Sequence, residues 1–491
     1  MKNWITTAFL LCAGILHAQQ VIHYRLTYAA AGDRSVHVRI ELPTPRPGPL
    51  ELVMPRNYPG GYELVPYDSF VDGVAVFSAA DKPLAVRRTA EGPRWVLGEK
   101  GDQLVRVEYA VDLVRMEQQI LSAVDTSKVR PRYAGLLGYS VFAYIDGLED
   151  SKIALQVDGA PGWPVFSTLA PRLPASIGSS VATASDYYAL ADSEVLMGPD
   201  LQLRELDGPI KLILAAYLEE ADDLAIEGQL ARTALDRVQQ YFGDMPFPTY
   251  TVQLELLKPL AGHDYSFSQE HLDSGTFSLG KEDAMNASST QAYRDIRLLN
   301  YAHHMAHSWI PKRAYGEGYM PFVWEMPPII DTIWFNEGFG RYAAISALAA
   351  GMPAAEGEEF RRANLRRLRN IVEQAPPFIR RMPTVVLSRE ASFLYSTDFR
   401  IGMNIFARGS LMAAEMDEQI RQESQGKSSL REALRALLAR TEKEHRPFKI
   451  DELPAIFKQA TGVDVRRVLE RWLQPSDDKG LAPDVSDRQP Q

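Results

Sequence analysis

Tyr301-Ala-His-His-Met-Ala-His-Ser-Trp309 carries the most informative spacing in the chain, because His303 and His307 stand four residues apart. In a helix that spacing puts both imidazoles on one face, about one turn apart. Two neutral ring nitrogens presented this way can hold a single zinc ion at about 2.0–2.1 Å. The same spacing equally describes a solvated or packed pair, so a third ligand is needed to separate the two readings. Trp334-Phe-Asn-Glu-Gly-Phe-Gly-Arg-Tyr342 offers one, since Glu337 lies among aromatics near a helix start, thirty residues after His307. Buried alone, a carboxylate is costly and needs a cation or donors. Free backbone amides at the helix start are the simpler partner. The gap is long enough for the chain to turn back and bring Glu337 to the histidine pair.

Around these segments the pattern is helical. Ser288 with Gln291 three residues on fits a capping box for the histidine helix, and Pro311 fits its end. A second helix is expected from Thr332 to Ala350, stopped by Gly351 and Pro353. Further helices are expected over Phe360–Gln374, Met403–Gln425, Ser429–His445 and Leu453–Leu473. Upstream, Leu224, Ile226, Leu230, Ala234, Leu235 and Val238 mark an amphipathic helix ending before Gly243, followed by a strand at Tyr250–Leu257. A polar stretch then runs from Gly262 to Ser289.

From Val21 to about Leu201 the period shortens to two. Val36, Val38, Ile40 and Leu42 alternate with Ser35, His37, Arg39 and Glu41, the pattern of a half-buried strand. Similar runs at Leu50–Met54, Leu104–Val111 and Ile153–Val157 are separated by turns such as Pro59-Gly60-Gly61. The expectation is a β-sandwich-like domain.

Residues 1–18 carry Lys2 and then an apolar run from Ile5 to Ile15, too short to span a bilayer comfortably, with Ala18 as a small residue for cleavage. They read as a secretory signal, which makes the expected location periplasmic or extracellular. Cys12 is the only cysteine, so the mature fold rests on its core without disulfides. The net charge of −10 has no basic block, which argues against a nucleic-acid partner. No later stretch is apolar enough to cross a membrane, and nothing in the pattern fixes an oligomeric state.

The sequence resembles the glycyl aminopeptidase family of zinc peptidases, within the thermolysin-like group whose third ligand is a glutamate. That family reads H-E-F-F-H-x-W-N-V-K-R and later W-x-S/N-E-G-F. Here the matching stretches are His303-His-Met-Ala-His-Ser-Trp-Ile-Pro-Lys-Arg313 and Trp334-Phe-Asn-Glu-Gly-Phe339. Met54-Pro-Arg-Asn-Tyr-Pro-Gly-Gly-Tyr62 and Trp95 resemble its amino-terminal β domain, and Phe242-Gly-Asp-Met-Pro-Phe-Pro-Thr-Tyr250 its F-G-x-x-P-F-x-x-Y. Gln269-Glu-His271 resembles the end of its G-G-L-E-H strand, which implies substrate contact for Glu270 and, beside it, His271. The resemblance implies one zinc held by His303, His307 and Glu337. With the residue patterns it gives the expectation of a multidomain α+β protein: a signal peptide (1–18), a β-rich, sandwich-like domain (19–200), a thermolysin-like, mostly helical peptidase domain (201–425), a helical region (426–475) and a disordered tail (476–491). The likeness runs to about Leu473, and a PDZ domain often appended in the family is expected to be missing.

The departures bear directly on activity. His304 stands where the family has its general-base glutamate. Imidazole that accepts a proton becomes a cation beside a dication, a repulsion that carboxylate avoids. Phe406-Ala-Arg-Gly409 stands where the wider group has a Y-x-K-G segment with an oxyanion-binding tyrosine, and Tyr395 is the substitute to look for. Arg341 occupies a position where relatives support a ligating histidine, and Phe267-Ser268 replaces a glycine pair. The leading expectation is an exported, zinc-binding peptidase homologue with a degenerate active site, weak or inactive, that binds peptide or protein amino termini. The alternatives are an active zinc aminopeptidase using an atypical base, and an interaction module working through its β domain.

Overall fold

The computed structural model describes residues 21–474, apart from 259, 261, 264 and 266. The expected signal peptide and the expected tail at 476–491 lie outside the described residues. The architecture is a β-rich amino-terminal half followed by a helical half built on one further sheet.

The largest amino-terminal sheet has seven strands. In its strand Ser35–Pro47, Val36, Val38, Ile40 and Leu42 are buried while His37 and Glu41 are exposed, so alternation sets the register. That register pairs Val38 with Tyr109 and Ile40 with Val107. Two smaller sheets complete this half, one of them containing Leu50–Val53 and Arg94–Leu97, the other Tyr133–Leu137 and Glu194–Met197.

In the second half Lys211–Leu218, Thr249–Leu257 and Ser274–Gly280 run parallel at the centre of a five-stranded sheet. Both faces of such strands are covered, and Thr249–Leu257 is buried from Tyr250 onward. The first crossover is the helix Leu224–Phe242, capped by Asp223 and ended by Gly243 at φ 85°. One edge strand, Phe267–Glu270, runs antiparallel to Ser274–Gly280, pairing Ser268 with Phe277. The helix Gln291–His307 packs beside that edge.

Several expected details differ. The histidine helix is capped by Thr290, whose side chain accepts from the Tyr293 amide, rather than by Ser288, whose hydroxyl is turned to Asn286. It ends at His307, ahead of Pro311. The next helix opens with a π-helical segment, Trp334–Phe339, before Gly340–Ala349. Leu453–Leu473 is two helices, Leu453–Thr461 and Arg466–Leu473, because Gly462 ends the first at φ 80°. Thr384–Leu394 is an additional helix that starts behind Pro383. Ser429 and Glu432 form the capping box of Leu430–Glu444, and Phe399–Glu423 is the long helix that crosses the π segment.

Candidate metal centre

His303 and His307 project from the last turns of their helix with their Nε2 atoms 3.3 Å apart. Glu337 Oε2 lies 3.6 Å from His303 Nε2 and 3.4 Å from His307 Nε2. Ligands placed about 2.0–2.1 Å from a tetrahedral ion stand about 3.3–3.4 Å from one another, so this triangle has the dimensions of one zinc site. His307 Nδ1 is 2.8 Å from the Ile310 carbonyl oxygen. A carbonyl only accepts, so the proton sits on Nδ1 and Nε2 keeps its lone pair for a metal. Burial opposes a charge on His307, yet Glu270 and Glu337 outweigh it and carry its pKa up to about 9. The two carboxylates thus favour positive charge at this point.

The π segment is what turns Glu337 into this position. One extra residue per turn re-aims a side chain, a device concentrated at functional sites. Close backbone approach keeps the segment in place: a Cβ on Gly338 would lie 2.3 Å from Gly409 Cα, and one on Gly409 only 1.8 Å from the Trp334 carbonyl oxygen. Two glycines thus let the helix Phe399–Glu423 cross directly over the glutamate and bring Phe406 against His303, ring centroids 5.3 Å apart.

His304 faces the other side of the site. Its Nε2 lies 2.6 Å from Ser268 Oγ, and its Nδ1 is 3.4 Å from Glu270 Oε2. The second contact is loose and leaves Nδ1 without a well-formed hydrogen bond. Burial pushes the Glu270 carboxyl up, but His307, His304 and Lys312 outweigh it and hold it down to about 2. Glu270, His304 and His307 also offer atoms within 4.8 Å of one another. His307 has a single free nitrogen, so that trio cannot hold a second ion while His307 serves the first.

The amino-terminal half closes the site through the turn Pro59-Gly60-Gly61-Tyr62. Tyr62 donates its hydroxyl to Glu337 Oε1 at 3.1 Å and accepts from Asn336 Nδ2 at 3.3 Å. A Cβ on Gly60, which sits at φ 95°, would lie 2.3 Å from Glu270 Oε1. The Pro59 carbonyl accepts from Gln269 Nε2 and from Lys312 Nζ. Sequence patterning marked this turn as a turn but gave no sign that it touches the carboxylates.

Phe406, Tyr395 and Arg341 all line the same cleft, a cavity of about 800 Å³ that also holds His303, His304 and Glu337. Tyr395 packs on Tyr62, ring centroids 5.3 Å apart, and burial together with Glu337 and Glu270 pushes its hydroxyl up. The Arg341 guanidinium lies over the Phe406 ring at 5.6 Å and donates to the Leu299 carbonyl at 3.5 Å. Among the described residues the buried His303 Nδ1 has no hydrogen-bond partner, and so lacks the acceptor that ordinarily orients a ligating imidazole.

His271 lies behind the cleft wall, fully buried, instead of facing substrate. Its Nδ1 is 3.2 Å from Asp192 and its Nε2 3.2 Å from Glu194, with Thr276 Oγ1 at 3.1 Å from the same nitrogen. Lys312 joins Asp192 at 3.0 Å. The whole cluster ties the edge strand to the amino-terminal half, which is where a buried histidine between two acids is most economically used.

Comparison with known proteins places these features in a wider group of folds. Residues 23–199 match the family described as the Peptidase M61 N-terminal domain. An aminopeptidase N family protein from Idiomarina loihiensis superposes with a TM-score of 0.80 at 20% identity, over 93% of this chain and 76% of that chain. An M1 zinc metallopeptidase from Deinococcus radiodurans superposes with a TM-score of 0.52 at 16% identity, over 93% of each chain. No curated protein sequence matches. At these identities the likeness is one of fold, and it extends through both halves of the chain.

Proposed function

We propose that this chain is an exported protein of zinc-peptidase type that holds one zinc ion and binds peptide amino termini, with little or no hydrolysis. The carrying observation is the meeting of His303, His307 and Glu337 at ligand spacing, with His304 in place of a carboxylate beside them. When bound, zinc would supply Lewis acidity and a polarised water. His303, His307 and Glu337 would hold it. Glu270 lines the same cleft, is held ionised by His307, His304 and Lys312, and supplies the negative charge that a protonated amino terminus needs.

Loss of a general base costs on the order of 10²–10⁴-fold in rate. Loss of an oxyanion donor, as Phe406 implies, costs roughly 10²–10³-fold. The two need not multiply, because groups acting together are non-additive. Either alone leaves peptide hydrolysis slow.

Metal analysis after zinc loading tests the reading. We expect about one zinc per chain in the parent and none in His303→Ala. A labelled peptide with a free amino terminus should bind, and its acetylated form should not. Parent protein that stays metal-free under zinc would end the proposal. A second reading, an aminopeptidase with an atypical base, draws support from Glu270, which is held ionised within reach of the histidines. Steady release of Gly or Ala from short peptides, abolished in His303→Ala, would favour it instead.

A further inference from the structure

We propose that Ser268, His304 and Glu270 form a nucleophilic relay, giving the cleft a serine acyl-transfer activity towards carboxylic esters that is separate from metal binding. Two of the positions where the sequence departs from the zinc peptidases it resembles are 268 and 304, and the side chains there touch, Ser268 Oγ to His304 Nε2 at 2.6 Å. The opposite ring nitrogen faces Glu270 Oε2 at 3.4 Å. A nucleophile within hydrogen-bond reach of a base, and a base faced by a third group, is the arrangement that activates a hydroxyl. Apo contacts of this kind are often long and tighten when substrate binds, which accommodates the looser Glu270 contact.

All three groups stand on regular elements. Ser268 and Glu270 share the edge strand, and His304 belongs to the helix beside it. Asn300, one turn before His304, places Nδ2 3.2 Å from Ser268 Oγ and so sets a hydrogen-bond donor next to the nucleophile. Ser268 is half-buried and opens on the cleft, whose wall includes Leu368, Ile371, Tyr395 and Phe399. Such a wall suits an apolar acyl group.

In the reaction His304 Nε2 takes the Ser268 hydroxyl proton as Oγ attacks the ester carbonyl carbon. The carbon–oxygen bond to the alcohol then breaks, and the alcohol leaves with the proton returned by His304. The products are an acyl ester on Ser268 and a free alcohol. Water, deprotonated by His304, then releases the acid and restores the serine. Glu270 acts as a positioning residue, holding the Nδ1 proton on its side of the ring so that Nε2 can accept.

A fluorophosphonate probe reads this directly: Ser268 Oγ displaces fluoride from phosphorus, His304 takes the proton, and the adduct remains. The full-length protein is treated as purified and again after chelation, with zinc content measured on the same batches, then examined by intact mass and peptide mapping. The expected result is one adduct at Ser268 with or without zinc, absent in Ser268→Ala and slowed about 100-fold or more in His304→Gln. Glu270→Gln should slow labelling at Ser268 and Glu270→Asp should restore it in part, a rescue that a purely structural role would not produce. Absence of any adduct at Ser268 in the parent overturns the proposal. So does an adduct whose rate ignores His304→Gln in protein that melts like the parent. A zinc-free protein that labels would remove the metal reading and leave this one standing.

Discussion

In the proposed site His303 would bind with one nitrogen, and among the described residues the other has no hydrogen-bond partner. Restoring an acceptor with Arg341→Glu should tighten zinc about 10–100-fold, as supporting hydrogen bonds to ligating histidines typically do. Competition with a chelator of known affinity measures it, and unchanged affinity would mean the new carboxylate does not reach Nδ1. A bolder change is His304→Glu with Phe406→Tyr, which returns a carboxylate and a phenol to the cleft. Peptidase activity should then rise well above the parent in a peptide-release assay; no gain would place the defect in cleft shape or metal affinity. The meeting of the three candidate ligands was legible because helix geometry puts residues four apart on one face, and Glu337 stood out as an acid among aromatics. The pairing of Ser268 with His304 was not readable, because it depends on how an edge strand packs against a helix, 36 residues away in sequence.

Elements add a constraint that no single side chain reveals. The π segment Trp334–Phe339 and the helix Phe399–Glu423 touch backbone to backbone at Gly338 and Gly409. Gly409→Ala should cost about 1–3 kcal/mol or more by overpacking, seen as a lowered melting temperature. Because the atom it meets belongs to the Glu337 segment, zinc stoichiometry should fall with it. A variant that melts normally and binds zinc fully would show that the crossing can give way. Helix ends followed the sequence where the signal was chemical, as at Gly243, and the helix expected over Ser429–His445 does begin behind Ser429. They departed from it where tertiary packing chose between candidates. Thr290 was preferred to Ser288 as a cap, and the inserted turn before Gly340 has no periodic signature at all.

At the scale of the molecule, bound metal and pH both act on stability. If zinc binds only the folded chain, a free concentration a hundred times its Kd adds about 2.7 kcal/mol, and the melting temperature should climb with zinc in the parent but not in Glu337→Ala. The Glu63 carboxyl is pushed up from 4.5 to about 8 by burial and by Asp125. Between those values the unfolded chain has released a proton that the folded chain keeps, so stability falls as pH rises across this window. Glu63→Gln should flatten that fall, read from melting curves between pH 5 and 8; an identical slope in both proteins would contradict it. The alternating strands made the β-rich half legible, yet nothing in their pattern told which turn would meet the helical half. That turn has a consequence of its own. Tyr62 and Gly60 reach over from one half to meet Glu337 and Glu270 in the other, so the candidate ligand set is sealed along a seam between two separately cored bodies. Drift in that turn of the first body can therefore retune the proposed site in the second without altering any of its candidate ligands.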